Sequence, residues 1–176
     1  LCCGLLMIWL LFLASVGSPT LESTALLLAA ALIVVLAFNL TGLVFLGDIG
    51  AYGVGSFVLA LMLYGAGEGT VDHGQIVALL SVPVTDCVLL MVERTRRGRS
   101  PYDPDRQHLH HILQATSGKW PSLAIYLSVV ALCAVAAREN GLASVLAIAG
   151  GINFVLLARL YGRREPEPPA PQDVWF

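Results

Sequence analysis

Ser23-Thr24-Ala25-Leu26-Leu27-Leu28-Ala29-Ala30-Ala31-Leu32-Ile33-Val34-Val35-Leu36-Ala37-Phe38-Asn39 carries no charged side chain and no proline. An unbroken apolar run of about 15 residues or more is the mark of a membrane-crossing helix, which needs about 20 residues at a rise of 1.5 Å each. Comparable runs recur on both sides, separated by short polar stretches. They mark six candidate spans: Cys2–Val16, Ser23–Asn39, Ala51–Tyr64, Gln75–Val92, Ser122–Ala137 and Gly141–Tyr161. Several are shorter than a full crossing, so their ends are predicted to extend into the flanking polar residues.

Composition agrees. The chain has 176 residues, 57% of them hydrophobic and only 12% charged, where soluble domains average about a quarter charged. Its mean hydropathy is +0.78. The apolar content excludes a disordered chain, and a net charge of −2 argues against a nucleic-acid binder. The fold class is all-α, a polytopic transmembrane helical bundle. The chain opens at Leu1 directly into an apolar run with no positive n-region, which reads as an interior position of a longer protein and not as a signal peptide. Cys2, Cys3, Cys87 and Cys133 all lie inside apolar runs and read as small buried residues rather than a disulfide or metal framework.

Orientation follows from the cations. Arg94, Arg96, Arg97, Arg99, Arg106 and Lys119 share one loop, Arg159, Arg163 and Arg164 close the last span, and only Arg138 lies on the other side. The positive-inside rule assigns the crowded face to the cytoplasm. That face also receives the turn around Asp48. Trp120 and Tyr102 suit the headgroup level, and Pro121 suits the first turn of a helix. Residues 1–162 form one transmembrane domain with a cytoplasmic loop at 93–121. The Pro-rich tail 163–176 reads as disordered.

Three places carry candidate chemistry. The first is Phe45-Leu46-Gly47-Asp48-Ile49-Gly50-Ala51-Tyr52-Gly53. Asp48 sits at a membrane boundary and suits either a helix N-cap or a metal or substrate contact, and both can hold at once. Gly47, Gly50, Gly53 and Ser56 recur every three residues, a small-residue face suited to close helix packing or to backbone approach to a phosphate. The second is Arg94 to His111. Four arginines within six residues are both a topology signal and a set of forks that fit phosphate. His108, His110 and His111 suit structural zinc, a solvated run, or hydrogen bonding to an anionic substrate. On a continuous helix His108 and His111 share a face, with His110 about 160° from His108. His73 reads as ordinary surface. The third is Asp86, three residues after a helix-loosening Pro83. An intramembrane carboxylate has a partner or a role, here an arginine pair or a substrate contact.

On these residues the chain resembles the C-terminal half of the bacterial polyprenyl-phosphate N-acetylhexosamine-1-phosphate transferases, membrane glycosyltransferases of the family 4 type. Phe38-Asn39, then Phe45 to Ala51, resembles the family's asparagine followed by its Phe-x-Gly-Asp-x-Gly segment. Asp86 followed by Arg94 resembles its Asp-to-Arg spacing. Ser100 to His111 resembles its His-x-His-His cytoplasmic loop, the most specific of the three.

The resemblance implies a magnesium-dependent enzyme of the bacterial inner membrane with its active face in the cytoplasm. The phosphate of a polyprenyl phosphate attacks the β-phosphorus of a UDP-sugar, UMP leaves, and cell-envelope polysaccharide synthesis begins. Asp48 matches a Mg²⁺-coordinating aspartate (Mn²⁺ is an alternative ion). His108, His110 and His111 match the catalytic histidine loop, and Asn39, Arg99 and Arg106 match substrate contacts. The partners implied are the UDP-sugar, the polyprenyl phosphate and the membrane, with a homodimer left open. The family's paired aspartates on an early loop have no counterpart here. The resemblance therefore places them upstream of Leu1, in a roughly ten- or eleven-span protein, and implies that this piece alone is inactive. Ala51-Tyr52 stands where many members have serine after the glycine, which leaves the sugar open. The alternative reading is a non-enzymatic transporter or metal-binding subunit using the histidine loop.

Overall fold

A computed structural model describes residues 1–100, 108–138 and 142–162. Among these the chain forms helices only: α1 (Cys2–Val16), α2 (Pro19–Leu40), α3 (Gly47–Gly67), α4 (His73–Arg96), α5 (Leu109–Ser117), α6 (Lys119–Ala137) and α7 (Leu142–Gly162). The spans read from the sequence reappear with α2, α3, α4 and α6 lengthened into flanking polar residues. These four are long and apolar enough to cross a membrane. The 22 residues of α2 reach about 33 Å, the thickness of a hydrocarbon core. α1 and the Ile148–Arg159 stretch of α7 are apolar over shorter lengths. The 163–176 tail lies outside the described residues.

α1 packs against α2, α3 and α6. α4, α6 and α7 pack on one another, and α5 lies across α6 and α7. Leu6, Leu10 and Leu13 of α1 are fully buried at the centre, with Leu21, Met62 and Leu79 around them. Much apolar surface faces outward, up to Ile49 at 92% exposed. Water would reject such a surface, whereas lipid or further protein accepts it. The chain is therefore a polytopic membrane helical bundle.

Local rules set the helix ends. Asp72 opens α4 with a capping box: its carboxylate accepts from the Gly74 amide at 2.6 Å, and its own amide donates to Gln75 Oε1 at 2.8 Å. Gly118 turns the chain from α5 into α6 at φ +82°, a conformation that costs glycine little and other residues more. Pro83 inside α4 has no N–H for the carbonyl four residues earlier. That carbonyl, on Leu79, accepts instead from the Trp9 indole at 3.3 Å. α4 and α7 cross closely at Gly151, where a Cβ would stand 2.5 Å from Ser81 Oγ.

Two packing expectations are corrected. The Gly47/Gly50/Gly53/Ser56 face does not seat another helix here: a Cβ added at Gly47 or Gly53 meets nothing within 4 Å, and at Gly50 it meets only Leu46 of the same segment. α3 instead packs through Val58 and Met62. Of the cysteines, Cys3 and Cys133 are buried as read, but Cys2 is only half-buried and Cys87 is exposed on the outer surface of α4. An apolar helix exposed to lipid does not bury every small residue it carries.

Candidate active site

Asp86 lies in the C-terminal half of α4 and is 6% exposed. A carboxylate there is stable only with charge and hydrogen-bond partners, and it has both. Arg159 of α7 reaches it with Nη2, 2.6 Å from Oδ1, and the same nitrogen donates to the Asp86 carbonyl at 3.2 Å. Oδ1 also accepts the Leu109 amide at 3.0 Å, and Oδ2 faces His108 Nδ1 at 3.1 Å. The arginine pair weighed for Asp86 is thus the observed arrangement, and its cation comes from α7 instead of the arginine-rich loop. Arg159 is itself buried, and its Nε finds no partner among the described residues.

The carboxylate also determines how α5 begins. His108 is the N-cap, extended at φ −62° and ψ 148°, and its side chain makes no capping bond. The first helical amide, from Leu109, would be orphaned; Asp86 accepts it from a different helix. Leu109 is fully buried and anchors α5 in the core.

This changes the geometry expected of the histidines. Because His108 precedes the helix, the helical-wheel separation does not apply to it. Its ring stacks on that of His110, with centroids 5.9 Å apart and planes 20° apart. His110 in turn lies 4.0 Å from the His111 ring. The three rings form one continuous cluster. Burial, followed by the positive charges His111 and His108 can carry, lowers the His110 pKa from 6.5 to about 4. At neutral pH its ring offers one N–H and one lone pair.

The other sequence candidates lie elsewhere. Asp48 is exposed in the first turn of α3. It is not the N-cap: Leu46 holds that position and no side chain caps the helix. The helix begins at Gly47, one residue before the aspartate, so Asp48 meets the positive end of the helix only as a charge within the first turn. Asn39 Nδ2 donates to the Val44 carbonyl at 3.2 Å and ties down the turn that leads to Asp48. Among the described residues no hydrogen bond or ion pair joins Asp48 to the histidines, and α3 packs on α1 while α5 packs on α6 and α7. Arg99 is exposed just past the end of α4. Arg97 pairs with Glu93 at 2.8 Å and Arg94 is buried, so the arginine run is not one open cationic patch. Arg106 and Tyr102 lie outside the described residues.

No three His, Cys, Asp or Glu side chains among the described residues are grouped to hold a metal. Magnesium is held by a few carboxylates together with waters and substrate phosphates. Asp48 fits it as one exposed oxygen ligand, and the described residues do not complete a site. Arg159 was read from the sequence only as a topology marker. Its place beside Asp86, 73 residues away, has no motif that would disclose it.

The fold and this cluster define a multi-pass helical membrane protein in which a buried carboxylate holds a histidine segment against the bundle. Over 72 residues the chain is 39% identical to the undecaprenyl-phosphate alpha-N-acetylglucosaminyl 1-phosphate transferase of Salmonella typhi, 38% to that of Escherichia coli (strain K12) and 33% to that of Yersinia pestis. The matched segment is 40% of this chain and 20% of each relative, so the match spans about a fifth of the length of these relatives, and the chain is about half as long as they are. No family model matches the chain, and no solved structure matches it.

Proposed function

We propose that the chain carries part of the active site of a phosphosugar transferase acting on a polyprenyl phosphate. The observation that carries this reading is its similarity to transferases named for undecaprenyl phosphate. The arrangement of charges supports it. Phosphoryl transfer asks a protein mainly to position reactants and neutralise charge, and the histidine cluster places three imidazoles side by side at one end of the bundle.

In the proposed reaction a phosphate oxygen of the lipid attacks the β-phosphorus of a UDP-sugar. The bond from that phosphorus to the bridging oxygen breaks, and UMP leaves with the electron pair. His108, His110 and His111 hydrogen-bond the diphosphate, Arg99 and Arg106 add cationic contacts, and Asn39 holds the turn that presents Asp48. A bound Mg²⁺, with Asp48 among its ligands, supplies charge neutralisation at the diphosphate. The substrates meet at the cytoplasmic face of the inner membrane, and the product is a lipid-linked sugar diphosphate for envelope polysaccharide.

The test is UMP release from UDP-N-acetylglucosamine and undecaprenyl phosphate, measured in native membranes so that whatever the chain is joined to is present. Asp48→Ala at the native locus lowers turnover by at least about a hundredfold, the scale of a lost catalytic electrostatic contact. Turnover near the unsubstituted level removes Asp48 from the site.

A further inference from the structure

The proposed reaction gives Asp86 no task, yet its carboxylate is bonded to the first residue of the histidine segment. The two carboxylate oxygens have different company. Among the described residues Oδ1 receives two donors, Arg159 Nη2 at 2.6 Å and the Leu109 amide at 3.0 Å, whereas Oδ2 faces only His108 Nδ1 at 3.1 Å. A carboxylate beside a buried guanidinium is ionised and can only accept. Nδ1 must therefore carry the hydrogen of that bond. In the neutral ring the lone pair then sits on Nε2, and no hydrogen bond among the described residues engages that atom. The His108 side chain is 39% exposed, so the ring has an open side. Main chain and side chain are held together, because the Leu109 amide fixes the backbone next to the ring.

We propose that Asp86 is a positioning residue: it locks His108 in the Nδ1–H tautomer and presents Nε2 as the nitrogen that takes the acidic proton of the lipid phosphate and, once protonated, donates to a substrate phosphate oxygen. The phosphate half of this inference rests on the proposed transfer reaction; the tautomer half does not. A carboxylate that orients an imidazole through Nδ1 is a recurrent device for defining which ring nitrogen works.

Asp86→Asn distinguishes tautomer control from mere support. Two donors converge on Oδ1, so the amide oxygen must take that place and the amide NH₂ must face His108. The NH₂ donates to Nδ1 and drives the proton to Nε2, with little change in shape. The experiment is ¹⁵N NMR of the chain in lipid nanodiscs with labelled histidine, the His108 signals being assigned by their loss in His108→Asn. The pH is raised until each ring has an unprotonated nitrogen. The wild type shows the protonated-type shift on Nδ1 and the unprotonated-type shift on Nε2, and Asp86→Asn exchanges them. A wild-type His108 with its hydrogen on Nε2 overturns the proposal, and that spectrum decides even if the variant does not fold. A folded Asp86→Asn that keeps the wild-type tautomer also overturns it. If both spectra behave as stated and native membranes release no UMP, the transfer reaction fails while the tautomer lock stands.

Discussion

The Trp9 indole N–H donates to the Leu79 carbonyl across 70 residues of sequence. That carbonyl is free because Pro83, four residues on, has no amide hydrogen to give it. A helix with an internal proline in an apolar surround must have such a group satisfied by a neighbour, and here one side chain of α1 does so.

Trp9→Phe is therefore expected to destabilise the bundle by about 1–3 kcal/mol, the cost of leaving a buried carbonyl unpaired, with some lost packing besides. In a Pro83→Ala background the helix supplies its own amide to Leu79, and the same Trp9 substitution should cost less. A double-mutant cycle by reversible unfolding in mixed micelles reads the coupling. Equal costs in both backgrounds would show that the indole contributes packing alone.

Gly151→Ala tests the α4–α7 crossing. The new Cβ would stand 2.5 Å from Ser81 Oγ and 3.1 Å from Val82 Cγ2, so the helices must separate, at about 1–3 kcal/mol. Ser81→Ala removes the nearer atom and should recover most of the loss. If the double variant is no more stable than Gly151→Ala alone, the contact with Ser81 is not what sets the spacing.

The six spans were legible because their apolar runs are long, and only their ends needed structure; α5, nine residues inside the loop, has no such run and was not marked as a helix. Pro83 announced a loosened helix, but nothing near it announced Trp9. Asp86 announced a need for a partner, and the sequence offered the arginines of the adjacent loop more readily than Arg159, which arrives through tertiary packing of α7. The histidines were legible as a group. Their geometry was not, because the helix starts at Leu109 and a shift of one residue takes His108 off the wheel. Asp48 failed as a cap for the same kind of reason, since the helix begins at Gly47. Patterns locate elements within a few residues, whereas caps and ring stacks depend on single residues.

The depressed His110 pKa gives stability a defined acid dependence. The folded ring stays neutral down to about pH 4, whereas an unperturbed histidine protonates near 6.5. Between those values the unfolded chain binds more protons, so stability falls as pH drops through the window and levels off below it. His110→Phe keeps an aromatic ring and removes the titration. Its unfolding midpoint should lose less than the wild type's between about pH 6.5 and 4. Parallel pH profiles for the two proteins would contradict the shift.

The Asp86–Arg159 pair yields two separable effects. Arg159→Leu leaves a buried carboxylate without its cation, and Asp86→Leu leaves a buried guanidinium without its anion; each is expected to cost about 3–5 kcal/mol. The double Leu variant removes both charges together and should cost less than the two single changes added. Asp86 also holds the start of α5: the Leu109 amide donates to Asp86 Oδ1, and among the described residues no hydrogen bond joins Arg159 to α5. Hydrogen exchange at Leu109 should therefore accelerate most in Asp86→Leu and in the double variant, and less in Arg159→Leu. Equal acceleration in both single variants would mean that the ion pair, rather than the amide bond, docks the histidine segment.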